Sequence, residues 1–170
     1  MSTLPIPERN MIDIHMHLVP GVDDGAENME MALVMMIRAK QQGISQIIAT
    51  PHSEVFRYSK EGGKIIFKRL VDVAAKVCPD MKLYLGCEVY CETEIMDQVL
   101  ESLNSGRYPT INGTKYVLME FPSGSIRKIP FPVRKRWCKP DIGPLSPTSS
   151  GTNTFGRAWT WWIGSGNWAH

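Results

Sequence analysis

The chain has 170 residues, room for one domain with a substantial core. A formal net charge of +2 and a pI of about 8.3 give no electrostatic case for a nucleic-acid or membrane partner. That average hides a division, because residues 1–120 carry 12 Lys+Arg against 16 Asp+Glu whereas residues 121–170 carry 7 against 1.

In chain order, "MIDIH" (11–15) predicts a short buried strand. Asn28 is placed to cap a helix over 29–42, whose apolar positions 29, 32, 33, 36 and 37 follow the helical period and which Gly43 stops. "ISQIIAT" (44–50) predicts a second strand running into Pro51 and His52, and residues 61–77 a second helix. "KLYLGCE" (82–88) predicts a third strand, 92–104 a helix, Asn112-Gly113 a turn, and "KYVLMEF" (115–121) a fourth strand. Short strands alternating with helices argue for an α/β fold of parallel βαβ units. The methionines of 29–36 read as core packing.

Past Phe121 the pattern fails. Six of the twelve prolines and all five tryptophans lie beyond it, and no stretch has a helical or strand period. Residues 123–170 therefore read as an irregular basic tail, set apart from a domain over 10–122.

No apolar run is long enough to span a bilayer, and "MSTLPIPERN" lacks the regions of a signal peptide. The expected location is cytoplasmic, with Cys78, Cys87, Cys91 and Cys138 as free thiols. A cysteine-based phosphatase needs C-x₅-R, and the residues six places after the four cysteines are Tyr84, Thr93, Asp97 and Pro144. That mechanism is excluded.

Each predicted strand ends on a metal-type side chain. The first reaches His15 and His17, the second His52, the third Glu88 and the fourth Glu120, while Asp24 lies in the glycine-bracketed loop "PGVDDG". In βα architectures the C-terminal strand ends converge on one face, and residues two apart on a strand point the same way. Singly, an H-x-H pair or a strand-end acid is compatible with an ordinary surface group. Together they describe a shared cation site, since carboxylates at the ends of apolar strands are costly unless paired or coordinated. Imidazole and carboxylate without thiolate suit Mn, Fe or Zn better than Ca or Mg, and a bridging carboxylate would favour two or three ions.

"DIHMHLVPGVDDGA", "IIATPH", "GCEVY" and "YVLMEFP", in this order, resemble the PHP superfamily, and within it the CpsB/CapC-type tyrosine phosphatases of bacterial capsule and exopolysaccharide operons. The resemblance implies the N-terminal part of a distorted (β/α)₇ barrel, incomplete here. It also implies a manganese-dependent centre of two or three ions, with Fe or Zn as alternatives, that removes phosphate from tyrosines of a partner bacterial tyrosine kinase. It maps His15, His17, Asp24, His52, Glu88 and Glu120 onto the ligand positions, with Glu88 as the candidate bridge. Asp13 and Asp23 fall on acids that orient histidine and loop.

The family's later "HPER" and "SDxH" segments do not occur, and after Pro122 only His170 remains among the histidines. The expectation is a frameshifted or prematurely ended chain, with weak manganese binding and slow hydrolysis. Two other functions compete with this reading. One is a PHP phosphoesterase acting on histidinol phosphate or a nucleic-acid 3′ end. The other is an inactive metal-binding fragment or a binding module led by "IRKIPFPVRKRW", whose charge is read as that of a disordered tail.

Overall fold

The computed structural model describes residues 10–59 and 61–121, together with the backbone of 159–164. Strand β1 (Met11–Met16) pairs in parallel with β2 (Ile44–Ala49), which pairs in parallel with β3 (Lys82–Leu85). A second sheet joins β4 (Glu88–Tyr90) in parallel to β5 (Tyr116–Phe121), and β5 in antiparallel fashion to β6 (Trp159–Gly164). A parallel bridge between His52 and Glu88 links the extension of β2 to the start of β4. The fold is mixed α/β with parallel strands.

Helix α1 (Met29–Gln41) begins where expected, because Asn28 Oδ1 accepts the Met31 N–H at 2.9 Å. It packs on β2 and on α3 (Gly62–Val77). Ala32, Met36, Ile47, Leu70 and Ala74 form a core between these helices and the first sheet. A second core gathers Phe56 of α2 (Val55–Tyr58), Val89, Val117 and Met119 under α4 (Met96–Asn104), which follows a single 3₁₀ turn at Thr93–Ile95. Asn112 and Gly113 both take positive φ, as their turn requires.

Five expectations are corrected, the first being that β1 is buried: its Met11, Ile12 and Ile14 are 39%, 51% and 39% exposed. "KLYLGCE" is not one strand: the chain breaks after Leu85 and resumes at Glu88 in the other sheet, so Glu88 opens β4 rather than ending β3. At the break, Gly86 is crowded by Ile111 and Thr50, where a β-carbon would press to 3.2 Å. Residues 55–58 form α2, a helix the periodicity did not predict. Residues 159–164 form β6, against the reading of an irregular tail, because the strand is made by pairing along the edge of β5 and not by a period of its own. Met31 is 44% exposed, so not every methionine of 29–36 is core. The remaining residues of the tail, and Cys138 with them, lie outside the described residues.

Candidate metal centre

Two loops and three strands build the site. In β1 the pairing register slips between Asp13 and Met16, where three steps on β1 match two on β2. Such a bulge re-aims side chains, and His15 sits within it. Met16 then closes β1 by donating its N–H to Thr50 Oγ1 and accepting the Thr50 N–H. His17 lies beyond the strand, so the bulge and the turn after it bring the two rings together, with their Nε2 atoms 3.3 Å apart. The expected strand alternation does not do so.

The loop after β1 folds back over this face. Gly21 takes φ +67° and donates to Ala26 O, and Ala26 donates to His17 O at 3.0 Å. A β-carbon on Gly25 would collide with the backbone of His17. Glycine is therefore required for the close approach that carries Asp23 and Asp24 to the histidines.

The two adjacent aspartates face opposite environments. Asp23 has a side chain only 4% exposed, whereas that of Asp24 is 78% exposed. Asp23 Oδ2 accepts from His17 Nδ1 at 2.9 Å and from the His52 N–H at 3.0 Å, while its Oδ1 accepts the Gly25 N–H. Asp13 Oδ1 accepts the His15 N–H at 3.0 Å. With Nδ1 of His17 donating to Asp23, its Nε2 is the nitrogen turned toward the cluster.

Glu88 sits at the centre. Its carboxylate lies 3.2 Å from His15 Nε2, 3.1 Å from His17 Nε2 and 3.5 Å from His52 Nδ1. Asp24 Oδ1 lies 3.4 Å from His52 Nε2. Glu88 is almost fully buried, its N–H bonded to Pro51 O and its carbonyl to the Ser53 N–H.

The structure brings all six sequence-selected residues together. Their donor atoms fall into three overlapping groups: His15, His17 and Glu88; His17, Asp24 and His52; and His52, Glu88 and Glu120. Within each group the atoms lie within 4.8 Å of one another. His17, His52 and Glu88 each belong to two groups, which is the arrangement a multinuclear site needs. Imidazole nitrogens and carboxylate oxygens at this separation fit divalent Mn, Fe or Zn.

The electrostatics point the same way. Burial alone would lower the pKa of His17, but hydrogen bonds and charge from Asp23 and Glu88 outweigh it and push it up to about 10. Burial alone would raise the pKa of Glu88, but His15 and His17 draw it down to about 2. Without metal, the cluster holds a proton where its negative charge calls for a cation. Glu120 shifts upward because it is partly buried and faces Glu88.

Beside the cluster runs a groove of about 810 Å³ whose walls include Val22, Val55, Ile66 and Tyr90. Sequence reasoning did not single out Tyr90, although it lies two residues after Glu88 on β4. That spacing was the available signal. Among the described residues, no Lys or Arg lines this groove or the adjoining cleft around His15 and His17. Cys78, Cys87 and Cys91 are buried free thiols, and burial pushes Cys87 and Cys91 upward, away from thiolate.

Comparison with known proteins gives the lineage. The family model for capsular polysaccharide synthesis, CpsB/CapC, matches residues 11–131, nine residues past the expected boundary. The tyrosine-protein phosphatase YwqE of Bacillus subtilis is 37% identical over 120 residues, covering 66% of this chain and 43% of that protein. The tyrosine-protein phosphatase CpsB of Streptococcus pneumoniae is 32% identical over 113 residues, covering 65% and 45%. Among solved structures, one described as YwqE from Bacillus subtilis and CpsB from Streptococcus pneumoniae, metal-dependent tyrosine phosphatases, superposes with a TM-score of 0.51. It is 28% identical, covering 73% of this chain and 51% of the other. The chain thus spans about half the length of the relatives it matches. On the family match over most of its length, the chain belongs to the CpsB/CapC family of capsular polysaccharide synthesis.

Proposed function

We propose that residues 10–122 are part of a distorted (β/α)₇ barrel of the PHP superfamily, serving a manganese-dependent protein-tyrosine phosphatase. On this reading the enzyme acts in the cytoplasm on phosphotyrosines of a bacterial tyrosine kinase in capsule or exopolysaccharide regulation. The observation that carries the proposal is the overlap of three donor groups through His17, His52 and Glu88. Among the described residues, no helix is long and apolar enough to cross a membrane.

His15, His17, Asp24, His52, Glu88 and Glu120 would hold the cations. Bound cations supply a water acidified toward neutral pH and Lewis-acid contact for phosphoryl oxygens. The chain's own residues define the rest. Asp23 fixes the His17 ring through Nδ1 and tethers the loop through Gly25. Glu88 is shared between two donor groups and spans them. Val22, Val55, Ile66 and Tyr90 give an apolar wall against which a phenol ring can lie.

The test is metal content and turnover of the purified chain. Manganese binding that disappears in His17→Ala, with slow hydrolysis of a phosphotyrosine peptide and none of histidinol phosphate, is the expected result. Equal metal content in wild type and His17→Ala, or preference for histidinol phosphate, overturns it.

A further inference from the structure

The outer face of α1 does not look like the solvent side of a monomer. Met31 is 44% exposed, Val34 38% and Ile37 38%, three large apolar groups at i, i+3 and i+6. Alanine 32, Met36 and Ala39 bury the opposite face, so the helix is apolar on both sides. The stripe has charged ends of opposite sign. Glu30 stands in the first turn with Glu27 just ahead of it, and Arg38 stands in the last turn. All three are exposed, whereas Lys40 is engaged by Asp80 at 3.2 Å.

This pattern is self-complementary. Reversing a second copy of the helix about Val34 sets Val34 against Val34, with Met31 and Ile37 flanking it from both chains. The same reversal carries the acidic N-terminal turn of each helix to the basic C-terminal turn of the other. It also opposes the two helix dipoles favourably. A two-fold interface demands this kind of matching, since one patch must complement itself. We propose that α1 is a homodimerisation surface on which a second copy of this chain docks antiparallel through Met31, Val34 and Ile37, clamped by Glu27 and Glu30 against Arg38. One helix pair is a small contact, so association belongs in the micromolar range rather than among obligate dimers. The inference is independent of the phosphatase reading and uses none of the six candidate ligands.

Sedimentation velocity on the full chain from about 1 to 300 µM tests it. The expected result is a monomer–dimer equilibrium weakened at least ~tenfold by Val34→Glu and by Arg38→Glu. Recovery is expected in the double swap Glu30→Lys with Arg38→Glu, and no change with Ile65→Glu, an exposed apolar site on α3. Val34, Arg38 and Glu30 are all exposed, so these variants retain the fold, which circular dichroism verifies. A monomer throughout the range overturns the proposal. So does a dimer that ignores the α1 variants, or one abolished by Ile65→Glu.

Discussion

His17 Nε2 lies 3.1 Å from Glu88 Oε2, joining the loop after the first strand to the head of β4 across 71 residues of sequence. The pair makes the metal-free chain sensitive to pH in both directions. Glu88 falls from its ordinary 4.5 to about 2 on folding, so its contribution to stability is complete above 4.5 and is lost as pH falls through 2. His17 rises from 6.5 to about 10, so its contribution is complete below 6.5 and is lost as pH climbs through 10. After chelator treatment, the melting temperature is expected to plateau between pH 4.5 and 6.5 and to fall on either side. Thermal unfolding monitored by circular dichroism reads this directly. A melting temperature that rises from pH 7 to 9 contradicts the pairing.

The return loop depends on a glycine for space rather than for φ. Alanine at Gly25 puts a β-carbon into the His17 backbone and threatens the Ala26 N–H to His17 O bond. Gly25→Ala is expected to cost about 1–3 kcal/mol and to weaken manganese binding with it. Gly113 is the matched control: it has φ +70° but nothing within 4 Å of an added β-carbon. Gly113→Ala should cost only the left-handed backbone penalty, about 1–2 kcal/mol, and leave metal binding alone. Urea unfolding and manganese titration of both variants separate steric from conformational cost.

Much of this architecture was readable from the chain because its signals are local. Asn28 capping α1, the apolar period of α3 and the turn at Asn112-Gly113 each declare themselves within a few residues. What stayed hidden is non-local. The apolar run 82–88 gives no sign that Gly86 and Cys87 pass from one sheet to another, because the crowding comes from Ile111 and Thr50. β6 exists by virtue of its register with β5, from Tyr116 opposite Gly164 to Phe121 opposite Trp159, a pairing no window of sequence contains. Five of the six candidate ligands were selected by residue type at strand ends, yet His17 and Glu88 reach the cluster by a turn and a sheet crossing. Those two positions come to the cluster for a reason other than the one that motivated their selection.

Asp23 and Asp24 are adjacent and chemically identical, so their different surroundings yield the sharpest contrast. Burial alone would raise the pKa of Asp23, but the bond from His17 and the backbone N–H groups of His52 and Gly25 hold it below the usual carboxylate range. Those three donors occupy both oxygens: Gly25 on Oδ1, His17 and His52 on Oδ2. An asparagine has one oxygen, so Asp23→Asn must turn an NH₂ toward at least one of them. A buried donor left without an acceptor costs about 1–3 kcal/mol. Freed from its anchor, the His17 ring loses its fixed tautomer, and manganese affinity should drop by roughly 10–100-fold. Asp24, 78% exposed and, among the described residues, accepting no backbone hydrogen bond on its side chain, predicts the reverse profile. Asp24→Asn should leave metal-free stability within ~0.5 kcal/mol while still weakening manganese binding through the lost donor. Calorimetric titration with Mn²⁺, paired with urea unfolding of the metal-free variants, distinguishes the two. If both substitutions reduce stability and affinity alike, the division between orienting and coordinating aspartate is wrong.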